Sequence, residues 1–208
     1  MVSAAAALAA GTPLTPSPGA TVRTAHPHFT WALPAGEQSQ GIFVADKPAV
    51  IPEGRFYDEN IVAFGVLAPN DRAWSPSSPL YAGRYWWNVW SSDQDTYALY
   101  SAPAGFTIPV ALSLRGVGTR RYPSLHSMEV HVRWIANVQR PLVRVRALRG
   151  RKIVWKASRK EYNAIGSPGS TSFSWRPRRI EPGTRLKLVA SISSGRVRRA
   201  RALVVRAP

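Results

Sequence analysis

Residues whose types and spacing could do chemistry fall in a few places. His26 and His28 stand two apart in "AHPHF", and Asp93 and Asp95 two apart in "SSDQDTY". Two histidines on an extended segment can share a metal ion, but a closed site needs three or four ligands and no third is evident nearby. The "DQD" run is too short for a calcium loop. Both pairs read as surface-loop residues, and no metal or other cofactor is expected. Serine, histidine and acidic residues occur, yet no "G-x-S-x-G", "H-E-x-x-H" or phosphate loop arranges them, so no catalytic residue is named and the chain is expected not to be an enzyme. There is no cysteine, which excludes a disulfide scaffold, a thiolate metal site and a cysteine nucleophile.

Two constellations point to binding instead. The first is "YAGRYWWNVWSSD", residues 81–93. Side chains alternate faces along a strand, so Tyr85, Trp87 and Val89 share one face while Trp86, Asn88 and Trp90 share the other. The second is a set of basic strands. In "LVRVRAL", Arg144 and Arg146 lie opposite Val143, Val145 and Ala147; in "TRLKLVA", Arg185 and Lys187 lie opposite Leu186 and Leu188; "GRVRRAR" adds Arg196, Arg198, Arg199 and Arg201. If these strands are neighbours, Arg144, Arg146, Arg185, Lys187, Arg199 and Arg201 form a cationic ladder on one sheet face. Such a face attracts anionic cell-wall polymer, membrane headgroups, or nucleic acid through non-specific charge. The competing reading is a solvated face written in arginine, since only five of the 28 basic residues are lysine and a GC-rich coding bias gives the same composition. Trp155 and Trp175 read equally well as core, which leaves little aromatic interleaving for single-strand binding.

The elements that must position these residues are strands. Helical periodicity is almost absent, and short alternating runs bounded by turn residues recur. "HFTWAL", "GIFVAD", "NIVAFGVL", "GRYWWNVW" and "GFTIPV" mark the first half, with Phe29 and Trp31 on one face and Ile42 and Val44 on another. "PVALSLRG", "MEVHVRWI", "PLVRVRALRG", "KIVWKAS", "SFSWRP", "RLKLVASI" and "RALVVRA" give about seven strands in the second. "RALRGRKIVW" and "SISSGRVRRA" read as hairpins, each with a glycine at the turn. Charge divides the chain as well. Residues 1–110 carry five basic and eight acidic residues, a net of −3; residues 111–208 carry 23 and three, a net of +20. A step of this size argues for two units with different surfaces. Residues 1–12, "MVSAAAALAAGT", read as a signal-peptide remnant with cleavage after Ala10, as a linker, or as a flexible tail. No run approaches the roughly 18 apolar residues of a membrane span.

"TPSPGATV", "HFTW", "LYAGRYWWNVW" and "FTIP" together resemble the fibronectin type III module of bacterial exported proteins, over residues 13–110. Leu80, Gly83, Tyr85, Trp87 and Val89 match its corner. "IEPGTRLKLVA" looks like the same corner in residues 111–208, with Ile180, Pro182, Gly183 and Thr184 matching and Leu186 in place of the tyrosine whose hydroxyl bond closes the corner, so that bond is expected to be missing and the second unit is called immunoglobulin-like. The resemblance implies an all-β chain of two tandem β-sandwiches that acts as a spacer or adhesion segment, extracellular or in the cell envelope, with cell-wall polymer, glycan or protein as partner. It makes Tyr85 the corner residue and Trp87 core, which leaves Trp86 and Trp90 outside. With Trp74 they are the candidate stacking platform for a sugar ring or a partner aromatic. Against this stands a cover of Trp74, Tyr97 or Tyr100, or of the second domain.

Overall fold

The structure is a computed structural model that describes residues 11–92, 99–177 and 179–208. The chain divides into two compact units, Met1–Pro109 and Val110–Pro208. The expected leader, Asp93, Asp95 and Tyr97 lie outside the described residues.

The first unit contains β1 (Thr12–Thr15), β2 (Ala20–Thr21), β3 (Phe29–Ala32), β4 (Gln38–Ala45), β5 (Ile61–Val66), β6 (Ala73–Trp74), β7 (Gly83–Ser92), β8 (Leu99–Tyr100) and β9 (Ala104–Ile108). One sheet has the order β1-β3-β6 and the other β2-β9-β7-β4-β5, with β8 added beside β7. All pairings are antiparallel except β2 with β9. Between the sheets lie Phe29, Trp31, Ile42, Val44, Trp87, Val89 and Phe106, all buried. The Phe29 ring meets Trp87 edge-on at 5.0 Å and Phe106 at 5.6 Å. Burying each such side chain contributes about 1.5–3 kcal/mol. Their polar atoms are satisfied: Trp87 Nε1 donates to the Pro16 carbonyl at 3.1 Å, and Trp31 Nε1 to Ser39 Oγ at 3.0 Å.

The second unit contains β10 (Leu112–Tyr122), β11 (Ser127–Ala136), β12 (Leu142–Arg149), β13 (Lys152–Lys160), β14 (Gly169–Trp175), β15 (Arg185–Ser194) and β16 (Val197–Arg206). Its sheets have the orders β10-β11-β14 and β13-β12-β15-β16. The inward faces follow the two-residue period: Met128, Val130, Val132 and Trp134 on β11, Val143, Val145 and Ala147 on β12, and Leu186, Leu188, Ala190 and Ile192 on β15. Trp134 donates through Nε1 to Thr171 Oγ1 at 3.0 Å, and its ring lies against Gly169, where any side chain would collide with it. Trp155 and Trp175 stack at 5.1 Å with Trp175 buried, so these two are core neighbours.

Candidate functional site

The aromatic stretch lies on β7, in the middle of its sheet. On the inward face, Tyr85 is 7% exposed and its hydroxyl donates to the Tyr81 carbonyl at 2.9 Å, the corner bond expected at this position. Burial and, to a smaller extent, the charge of Asp46 raise the Tyr85 pKa above its ordinary value of 10.0. In the second unit Leu186 occupies the equivalent place, buried and without a hydroxyl. The backbone closes that corner: Gly183 N–H donates to the Ala207 carbonyl at 3.0 Å, and Ala207 N–H to the Thr184 carbonyl at 2.8 Å.

The opposite face of β7 is covered. Asn88, between the two outer tryptophans, is fully buried, and its Nδ2 donates to the Gly54 carbonyl at 2.9 Å. The segment 46–60 thus crosses over this face. Gly54 has φ +94°, and a Cβ there would meet Tyr100 Cβ at 3.0 Å, so both backbone and space call for glycine. Tyr100 stacks on Trp90 at 6.2 Å and 19° between planes, and Trp90 Nε1 is buried without a partner among the described residues. The Arg84 guanidinium lies over the Trp86 ring at 5.1 Å. Both indoles are half-buried. Trp74 lies elsewhere. It is on β6 in the other sheet, packs on Phe29 at 5.8 Å and presses its indole onto Gly65. The three tryptophans therefore do not form one platform; Tyr100 covers Trp90, and Trp74 covers neither.

The basic residues are sorted by strand register. Arg144 pairs with Ser191 and Arg146 with Val189, while Arg185 pairs with Arg206 and Lys187 with Val204. These positions share the outer face of the sheet. Arg199 pairs with Ile192 and Arg201 with Ala190, whose side chains are core, so these two arginines lie on the opposite face. There Arg201 donates to the Arg115 carbonyl of β10 at 3.0 Å. The single ladder of six is corrected to four. The register brings in others: Lys156 opposite Arg146, Lys160 opposite Leu142, Arg198 opposite Ser193, and Arg206. The outer face of β13-β12-β15-β16 thus holds eight cationic residues, and none of its four strands contains a carboxylate.

His26 and His28 do not converge on a shared ligand. His26 Nδ1 contacts the Pro76 carbonyl at 2.9 Å and His28 Nδ1 contacts Ser75 Oγ at 3.2 Å. Among the described residues no group of three histidine or acidic side chains could hold a metal ion. One buried carboxylate escaped sequence reading: Ser91 Oγ donates to Glu37 Oε2 at 2.5 Å, while Glu37 Oε1 has no partner among the described residues. Nothing in the local sequence marks it. Among the described residues no helix is long and apolar enough to cross a membrane.

No protein-family model matches the chain, and no curated protein matches it. Solved structures do. A tetra-tandem repeat from the extending region of a large adhesion protein is similar over 95% of this chain and 48% of that one, at 16% identity and a TM-score of 0.53. What the two share is the fold, and in this chain that fold is a tandem of two immunoglobulin-like β-sandwiches. Further similar structures are the fibronectin(III)-like modules of Clostridium thermocellum CbhA (94% and 93% of the two chains, 9% identity, TM-score 0.31) and the FN1-FN3 domains of chicken CNTN1 (94% and 68%, 15% identity, TM-score 0.33). The chain spans about half the length of the adhesion-protein structure. The likeness is one of fold, and each site of this tandem stands on its own geometry.

Proposed function

We propose that this chain is a non-catalytic pair of β-sandwich modules of an exported protein, a spacing and adhesion segment whose second unit captures polyanions. The observation that carries the capture is the outer face of β13-β12-β15-β16, with eight cations and no carboxylate in its strands. A field of one sign on a flat sheet concentrates counter-ions and steers long anionic chains to it. The spacing role is supported by two separately closed cores and by the similar tandem, which belongs to the extending region of an adhesion protein.

The test is retention of the whole chain on an immobilised anionic polymer. Arg144→Glu with Arg146→Glu should lower the eluting salt concentration strongly, because log affinity falls linearly with log salt in proportion to the charges neutralised. Retention unchanged by that double substitution removes the outer face as the contact surface.

A further inference from the structure

The outer face is not uniform. Between β12 and β13 it sinks into a depression of about 540 Å³ lined by Arg144, Arg146, Ile153, Lys156, Ala157 and Ser158. A register shift between Ala147 and Leu148 interrupts the β12–β13 ladder beside it. This irregularity sets Ile153 opposite Leu148 while Lys156 stands opposite Arg146. Arg144 and Arg146 are half-buried, and among the described residues neither their side chains nor that of Lys156 makes a hydrogen bond or ion pair with the protein. Three cations thus converge on one hollow, two with their stems partly withdrawn from water and none with an internal acceptor. Unpaired guanidinium groups on half-buried arginines gain from an external anion, because an arginine fork matches the oxygens of a tetrahedral group in two parallel bonds. Ser158 adds a hydroxyl donor, and Ile153, 45% exposed, adds an apolar patch for the carbon part of a ligand.

We propose that this depression seats a tetrahedral ester anion, a phosphodiester or a sulfate ester, carried on a flexible polymer without bases. The proposal rests on the reading of the outer face as the contact surface and names its ligand class. Nucleic acid is disfavoured by what the face lacks. Single-strand binding depends on aromatic rings on which successive bases stack. The only aromatic residue in the four strands, Trp155, pairs with Ala147 and points to the core side. The exposed Tyr162 lies beyond the end of β13.

Binding of the full chain to poly(glycerol phosphate), to heparin and to oligodeoxythymidylate of matched charge tests this. Three double variants are compared, each first shown to retain the parental melting temperature. Arg146→Ala with Lys156→Ala removes two charges at the depression. Arg185→Ala with Lys187→Ala removes two elsewhere on the same face, and Arg199→Ala with Arg201→Ala two on the opposite face. The expected result is binding of one or both base-free polymers, weakened at least tenfold by the first pair, less by the second and within twofold by the third. Each contact to a flexible chain adds about 0.7 to the salt slope, so the first pair should reduce that slope by about 1.4. Binding of poly(glycerol phosphate) alone assigns a phosphodiester, and binding of heparin alone a sulfate ester. Equal losses for the first two pairs with the third silent would overturn the depression as the seat while leaving the face. Equal losses for all three, or no binding of either base-free polymer, overturn both. Tighter binding of the oligodeoxythymidylate through Arg146 and Lys156 overturns the ligand class.

Discussion

Arg146 and Lys156 stand directly opposite one another on adjacent antiparallel strands, two cations on one face of the sheet. Like charges at such positions repel by roughly 0.2–1 kcal/mol. The fold tolerates this arrangement at the place where the proposed ligand would neutralise it. Lys156→Glu should therefore stabilise the second unit by about 0.5 kcal/mol at low salt while weakening polyanion capture. Denaturant melts at low and at about 1 M salt, where the screening length is about 3 Å, check this; a gain that survives high salt unchanged has another cause.

The Tyr85–Tyr81 bond predicts a pH dependence confined to alkali. Burial raises the pKa of Tyr85 in the folded chain, so the unfolded chain loses its proton first. The stabilisation is fully present below the ordinary value of 10.0 and is lost as pH climbs from there through the raised folded value. Tyr85→Phe should cost about 1 kcal/mol near neutrality by removing the donor. It should also flatten part of the alkaline decline. An unchanged decline in the variant would assign it to other groups.

Gly54→Ala should cost about 1–3 kcal/mol, since it sets an L-residue at positive φ with its methyl against Tyr100. The near-ultraviolet circular dichroism of the Trp90–Tyr100 stack should change with it. Loss of stability with an unaltered aromatic signal would separate the segment from the stack.

Phe64 and Val66 on β5 are 66% and 85% exposed, on a strand at the edge of its sheet. Phe64→Lys should leave unfolding stability within about 0.5 kcal/mol of the parent, as surface changes usually do. It should also reduce self-association in light scattering, because charge on an exposed apolar edge blocks strand-to-strand pairing. A large loss of stability would show that Phe64 is packed.

Much of this is legible in the sequence. A two-residue period sets Tyr85 and Trp87 on one face; the resemblance makes that face the core, and its corner pattern gives Tyr85 a hydroxyl bond and denies one to Leu186. The arginines were legible only strand by strand. Placing β16 against β15 depends on the hairpin, in which Ser194 pairs with Val197 across two turn residues. That turn pairs odd positions with even ones, so Lys187 shares its face with Val204 and Arg206, and Arg199 and Arg201 fall on the other side. The turn length was visible, and its parity was the unused signal. Lys156 was less accessible. The shift after Ala147 reverses the parity of β13, and no residue type announces it. The place of Trp74 is hidden for a third reason: the chain leaves β5 for the opposite sheet, a crossing that alternation within a strand does not encode.

The tie between Asn88 and Gly54 has a kinetic side. The cover over Asn88 is a loop segment rather than a paired strand, so it can breathe while the cross-sheet packing of Phe29 and Trp87 stays intact. Acrylamide would reach the half-buried Trp90 indole, on which Tyr100 of β8 stacks, far faster than the fully buried Trp87, and the two quenching rates would clock the outer face and the sandwich separately.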